Sequence, residues 1–264
     1  MKAKYKDKQQ QLIQMYQKDN LSIHQIAKEL GVAKSTIGRW LNRFNIPSRS
    51  ISDGIHLRTG NHCSLSREAK YWIDGELLGD GCLKAKNNYS AYFSYGSKHH
   101  EYIQYISKQL TAFGMKQVGK THKRFHKDFG NISYDYVSKS YAELLPIREK
   151  WYPENKKIIP KDIKLTPLTC RQWYIGDGHL VHYGVNNKVY MTLHTNGFTV
   201  NDIDLLINKL KDLGFKSTRP KSTNIISISV KSAMDFLRYI GGSPVTCYQY
   251  KFGVYGPDAL QPIL

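Results

Sequence analysis

Two stretches decide the fold: REAKYWIDGELLGDG at residues 67–81 and TCRQWYIGDG at residues 169–178. Each reads as an apolar helix that closes on Gly-Asp-Gly, and the two aspartates, Asp80 and Asp177, lie 97 residues apart. A carboxylate at the C-terminal end of a helix faces the negative end of the helix dipole, so it makes little sense as a cap. A cation would repair it. Gly75 and Gly79, spaced by four, let a second helix approach closely along one stripe, and Gly176 offers the same on the other helix. Packed on these glycines, the helices would bring Asp80 and Asp177 together, an arrangement of like charges that is costly unless a divalent metal binds between them. The metal site is therefore expected at Asp80 and Asp177, with Gly79 and Gly176 beside them.

Outward from these helices the chain repeats itself. After the first come two strand-like runs (GCLKAK and SAYFSYG), the helix KHHEYIQYISKQLTAFG, further strand-like pieces and a helix near YAELLPIREKW. After the Pro-containing stretch IIPKDIKLTPL the order returns, with GHLVHYG and KVYMTLHT as strands, VNDIDLLINKLKDLGF as a helix, NIISISV as a strand and SAMDFLRYIGG as a helix. Helix, two strands, helix, two strands, helix, twice over, is internal duplication, and one domain with approximate twofold symmetry follows. Tyrosines alternating with Lys or Ser in the strand-like runs (Tyr89, Tyr92, Tyr95, Tyr134 and Tyr136) suit a sheet face laid against DNA, with Lys84 and Lys86 as further candidates beside Tyr92. Core packing on the opposite face accounts for other tyrosines equally well.

The paired motifs, with YGSKHHEYIQYI after the first, KKIIPKDIKLTPL before the second and CYQYKF near the end, resemble a LAGLIDADG homing endonuclease over about residues 67–255. The resemblance implies an α+β class: a duplicated αββαββα fold whose two antiparallel sheets form a saddle on the DNA major groove. The motif helices would form the central interface, and one acidic residue from each would deliver a divalent metal, Mg²⁺ or Mn²⁺. Two motifs in one chain imply a monomer acting on an asymmetric double-stranded target. Such active sites also hold a basic residue toward the end of each repeat. Lys157 lies 77 residues after Asp80 and Lys251 lies 74 after Asp177, with Lys156 a close competitor and Lys98 a further candidate. Two departures stand out. The second helix reads Cys170-Arg171-Gln172 where the first has Ile73-Asp74-Gly75, so it lacks its first small residue, and Gly96 stands where relatives often carry Gln.

Upstream, KYKDKQQQLIQMYQKDN and LSIHQIAKELGVAKSTIGRWLNRFNIP read as three short helices, with Ser22 as an N-cap, Gly31 in a sharp turn and Pro47 as the stop. That is a helix-turn-helix with Ile37, Trp40 and Leu41 inward, Ser35, Thr36 and Arg39 toward the groove and Lys34 and Arg43 toward phosphates. An amphipathic bundle for protein contacts is the bland alternative. The expected domains are residues 1–50 for this module, 51–66 for a linker (SRSISDGIHLRTGNHCSLS begins at 48), 67–161 for the first repeat and 162–264 for the second.

Composition agrees. In 264 residues, 39 Lys plus Arg stand against 21 Asp plus Glu, a formal net charge of +18 that suits a polyanionic partner. No window approaches a membrane span and MKAKYKDKQQ lacks the apolar stretch of a signal peptide, so a soluble intracellular protein is expected. The four cysteines are far apart, and neither His99 with His100 nor His122 with His126 has Cys or carboxylate company at zinc spacing. The reading is a site-specific, metal-dependent DNA endonuclease that promotes the spread of its own gene or host intron. A catalytically inactive regulator and an RNA-splicing maturase are rival readings. An intein is not expected, since neither Cys nor Ser begins the chain.

Overall fold

A computed structural model describes residues 2–50, 61–126, 130–183 and 188–253. The chain divides into two compact units, residues 1–60 and 61–264. In the smaller unit α1 (Lys2–Ile13) runs on into a π-helical turn and is followed by α2 (Ile23–Glu29) and α3 (Lys34–Arg43). Ser22 and Gln25 form a reciprocal capping box at the start of α2. Gly31 takes a φ of 64° in the turn, a conformation that glycine adopts without steric cost. Leu12, Met15, Tyr16, Ile26, Ala27, Ile37, Leu41 and Ile46 form the core. Trp40 is only half-buried, and the Lys8 ammonium lies 3.8 Å from its ring centroid. Helix α3 stops before Pro47 is reached. Asn45 adopts a left-handed φ of 51°, which lets the Ile46 N–H bond back to the Leu41 carbonyl.

The larger unit carries the duplicated pattern. In its first half α4 (Arg67–Leu78) precedes β1 (Cys82–Lys84), β2 (Tyr92–Ser97), α5 (His100–Ala112), β3 (His122–His126), β4 (Asn131–Val137) and α6 (Leu145–Trp151). The second half has α7 (Pro167–Asp177), β5 (Gly178–Tyr183), β6 (Lys188–His194), α8 (Val200–Asp212), β7 (Ser217–Thr218), β8 (Ile225–Ile228) and α9 (Val230–Ile240). Each half has one antiparallel four-stranded sheet, in the orders β1-β2-β4-β3 and β5-β6-β8-β7. Register pairs Tyr95 with Tyr136 and Leu193 with Ile226, all buried, so one face of each sheet closes the core under the helices. Matching glycines, Gly114 at φ 80° and Gly214 at φ 87°, end α5 and α8, and the next amide bonds back to Leu110 or Leu210.

Residues 51–60 of the expected linker and 254–264 of the expected second repeat lie outside the described residues. Residues 61–66 are tied to the larger unit rather than spanning a gap. The Asn61 side chain donates to the Ser140 carbonyl, Cys63 and Leu65 pack on the core, and Ser66 caps α4. The strand run GCLKAK is shorter than its pattern, since β1 ends at Lys84 and Lys86 sits in the bend beyond it. No described helix is long and apolar enough to cross a membrane.

Candidate active site

Helices α4 and α7 pack directly against each other because glycine removes the obstacles. A methyl group on Gly75 would stand 2.5 Å from the Thr169 carbonyl oxygen and 2.8 Å from the Gln172 Cβ. At the other end, methyls on Gly79 and Gly176 would stand 3.4 and 3.2 Å from the opposite glycine's Cα. The missing small residue of α7 has a use. Gln172 fills that place fully buried, and its Nε2 donates to Glu76 Oε1 at 2.7 Å, an oxygen that also accepts from the Tyr102 hydroxyl at 2.6 Å. Burial pushes the Glu76 carboxyl up to about 8, against the pull of those two donors.

Just beyond the crossing, Asp80 is exposed and Asp177 half-buried. Burial first, and the charge of Asp80 second, push the Asp177 carboxyl up to about 7, while Lys157 and Lys251 pull it back. Asp80 accepts from the Tyr95 hydroxyl at 3.4 Å. Lys157 and Lys251 stand at like places. Lys157 Nζ donates to the carbonyls of Gly79 (3.1 Å) and Gly81 (3.4 Å), and Lys251 Nζ to those of Ile175 (2.6 Å) and Gly176 (3.0 Å). Each ammonium thus satisfies orphan carbonyls at the C-terminal end of a motif helix, the end where the dipole favours a cation. Desolvation lowers both lysines from the ordinary value and the two aspartates oppose it. Lys156 is exposed and Lys157 half-buried, which separates the two competitors. Lys98 is exposed, and its charge acts on Lys251 and His99.

Among the described residues no group of three or more His, Cys, Asp or Glu side chains could hold a metal, so the candidate donors are the two carboxylates and neighbouring backbone oxygens. The carbonyls of Gly79 and Gly176 accept from the lysines, and each keeps a second lone pair. All of these are hard oxygen donors, the set that suits Mg²⁺.

The sheet faces divide the other candidates. In β2, Phe93 and Tyr95 point into the core, leaving Tyr92, Ser94 and Gly96 on the open face, and Lys84, paired with Tyr92, shares that face. Lys86 reaches back from its bend to 5.8 Å from the Tyr92 ring. Gly96 lies opposite Asp135, which is bridged to Arg124 at 2.8 Å. On α3, Lys34, Ser35, Arg39 and Arg43 are exposed and Thr36 half-buried, opposite the core residues Ile37 and Leu41. Sequence reasoning missed Tyr95 as a partner of Asp80, although its two-residue spacing from the apolar Phe93 was a signal that it faces inward. It missed Glu76 and Gln172 as a pair because nothing local links residues 96 apart.

The model of the LAGLIDADG DNA endonuclease family matches residues 70–236, and that of a homeodomain-like domain matches residues 3–50. The uncharacterized protein MJ1098 of Methanocaldococcus jannaschii is 31% identical over 202 residues, covering 75% of this chain and 76% of its own. The cytochrome b mRNA maturase bI2 of Debaryomyces hansenii is 25% identical over 206 residues, 72% of this chain and 76% of its own. Among solved structures, the homing endonuclease I-WcaI bound to its DNA recognition sequence superposes with a TM-score of 0.60 at 22% identity, over 80% of this chain and 96% of that one.

Proposed function

Since the chain belongs to the LAGLIDADG DNA endonuclease family, we propose that it is a site-specific homing endonuclease making divalent-metal-dependent double-strand breaks. The observation that carries this reading is the glycine crossing, which sets Asp80 and Asp177 beside each other with a lysine at each helix end. Asp80 and Asp177 would hold Mg²⁺ or Mn²⁺, which when bound lowers the pKa of water and stabilises charge on the scissile phosphate. Lys157 and Lys251 add positive charge at the two phosphates, one for each strand. With both aspartates in one chain, the protein acts as a monomer on an asymmetric duplex. The open sheet faces, with Lys84 and Tyr92, and the bend at Lys86 contact that duplex, and α3 adds Ser35, Thr36 and Arg39 in the groove with Lys34 and Arg43 on phosphates. The outcome in the cell is the spread of its own gene or host intron, by a soluble intracellular protein.

The maturase relative favours a second reading, RNA splicing without cleavage. Selection of cut sites from a randomised duplex library with Mg²⁺, and again with EDTA, separates the two. Recovery of one long asymmetric site in Mg²⁺ alone supports the endonuclease. No recovered site, with binding to structured RNA instead, overturns it.

A further inference from the structure

The segment that carries Lys251 is held from the other half of the molecule. Residues Thr246–Phe252 form a 3-10 helix at the end of the described chain, and Val245 at its start supplies no side-chain cap. The first free amides of such a helix need an acceptor from elsewhere. Glu101, in the first turn of α5 in the first repeat, supplies it: one carboxylate oxygen accepts from the Thr246 N–H at 2.8 Å and the other from the Cys247 N–H at 2.9 Å. The contact continues along the segment. The Tyr248 ring packs edge-on against Tyr102 at 5.0 Å and His99 at 4.8 Å, and its hydroxyl meets Ser97 Oγ at 3.3 Å, all first-repeat residues. At its far end, Lys251 is tied to the second motif helix by its ammonium and by its own carbonyl, which accepts from the Tyr174 hydroxyl.

A weaker reciprocal contact holds the other lysine. The amide of Ile159, two residues after Lys157, donates to Asp202 of α8 at 3.4 Å, and the Lys157 ammonium lies 5.5 Å from the ring centroid of Phe198. Both partners belong to the second repeat. Each lysine thus serves the motif helix of its own repeat while its backbone is braced by the opposite one.

We propose that Glu101 is a positioning residue for Lys251, a carboxylate of the first repeat that fixes the basic group of the second repeat's half-site. The backbone amides of Thr246 and Cys247 hold the Glu101 carboxyl below its usual range despite its exposure, as expected of an anion held by charge-assisted bonds. The proposal rests on the role given to Lys251 above, and the test separates the two. In the full-length chain, Glu101→Ala removes both acceptors, Glu101→Gln keeps the shape and an amide oxygen but loses the charge, and Lys251→Met removes the ammonium. Each is followed on an end-labelled duplex recovered from the library selection, with the two strands resolved, and by amide hydrogen exchange.

In Glu101→Ala the strand slowed by Lys251→Met should slow about tenfold relative to the other, with duplex Kd in Ca²⁺ within about twofold. Exchange at Thr246 and Cys247 should speed by a similar factor, and Glu101→Gln should fall between. A Glu101→Ala enzyme with an unchanged strand ratio beside a biased Lys251→Met enzyme overturns the positioning role alone. Unchanged exchange at both amides in Glu101→Ala and Glu101→Gln overturns it too. Lys251→Met cutting both strands at the wild-type rate overturns the lysine reading beneath it.

Discussion

Glu76 shows how burial and charge compete at a single residue. Its carboxyl is sealed between α4 and α7, with a folded value of about 8 against 4.5 when exposed. At neutral pH the folded state therefore keeps a proton that the unfolded chain has released. The Glu76 contribution to stability falls as pH rises from about 4.5 to 8 and levels off above, because folding in that range requires proton uptake at this carboxyl. Glu76→Gln keeps an acceptor for Tyr102 and Gln172 and abolishes the titration. It should raise urea stability by about 2–4 kcal/mol more at pH 8 than at pH 5, and equal gains at the two pH values would show that Glu76 titrates normally. Asp80 and Asp177 lie at the mouth of the same crossing. Asp80→Asn and Asp177→Asn should each lower double-strand cleavage in Mg²⁺ by roughly 10³-fold or more while sparing duplex binding in Ca²⁺. Full cleavage by either variant, read on linear substrate, removes that aspartate from the metal site.

Among elements, the α4–α7 pair tests the close-approach argument by degree. An added methyl at Gly75 meets a backbone oxygen at 2.5 Å, at Gly176 a Cα at 3.2 Å and at Gly79 a Cα at 3.4 Å. Backbone cannot swing aside as a side chain can, so the order of destabilisation should be Gly75→Ala, Gly176→Ala, then Gly79→Ala. The first should cost about 3 kcal/mol and the last about 1 kcal/mol or less. Urea midpoints at pH 7 measure the series, and a reversed order would mean that the helices separate freely. The strands follow the same logic of contact. Tyr95, set on the inward face by its two-residue spacing from Phe93, and its cross-strand partner Tyr136 are core residues, and their register places them under α5, where Tyr102 packs on Tyr95 at 5.4 Å. Tyr92 and Lys84 are left for the open face.

For the whole molecule, the consequence is modular. The small unit has its own core and the larger one another, so residues 61–264 should fold without the first 60. A shorter piece starting at Ser66 would strip Cys63 and Leu65 from the core against which they pack. Residues 61–264 should still cut the selected duplex, but with a shorter footprint and weaker binding. Residues 1–50 hold ten Lys plus Arg against three Asp plus Glu, so the salt dependence of Kd should flatten as well. A footprint of full length from the shortened protein would assign α3 to another partner.

What the sequence determined by itself is local or periodic. The Gly-Asp-Gly ends of two apolar helices, the glycine stripes, the helix and strand alternation repeated at 97 residues, Ser22 as a cap and Gly31 in a turn are each legible within a few residues. Local sterics and side-chain period govern them. The family resemblance with the +77 and +74 spacings made Lys157 and Lys251 candidates, with Lys156 a close competitor to the first, but the bonds of the Lys157 and Lys251 ammoniums to motif-helix carbonyls depend on segments that return from far along the chain. Tertiary structure alone decided that Gln172 meets Glu76, that Tyr95 meets Asp80 and that Glu101 meets the amides of Thr246 and Cys247. Those contacts join residues 96, 15 and about 145 positions apart. No propensity or period reaches across such separations: the packing of one repeat on the other brings Gln172 to Glu76 and the Thr246 and Cys247 amides to Glu101, while the folding of the first repeat on itself brings the Tyr95 hydroxyl to Asp80.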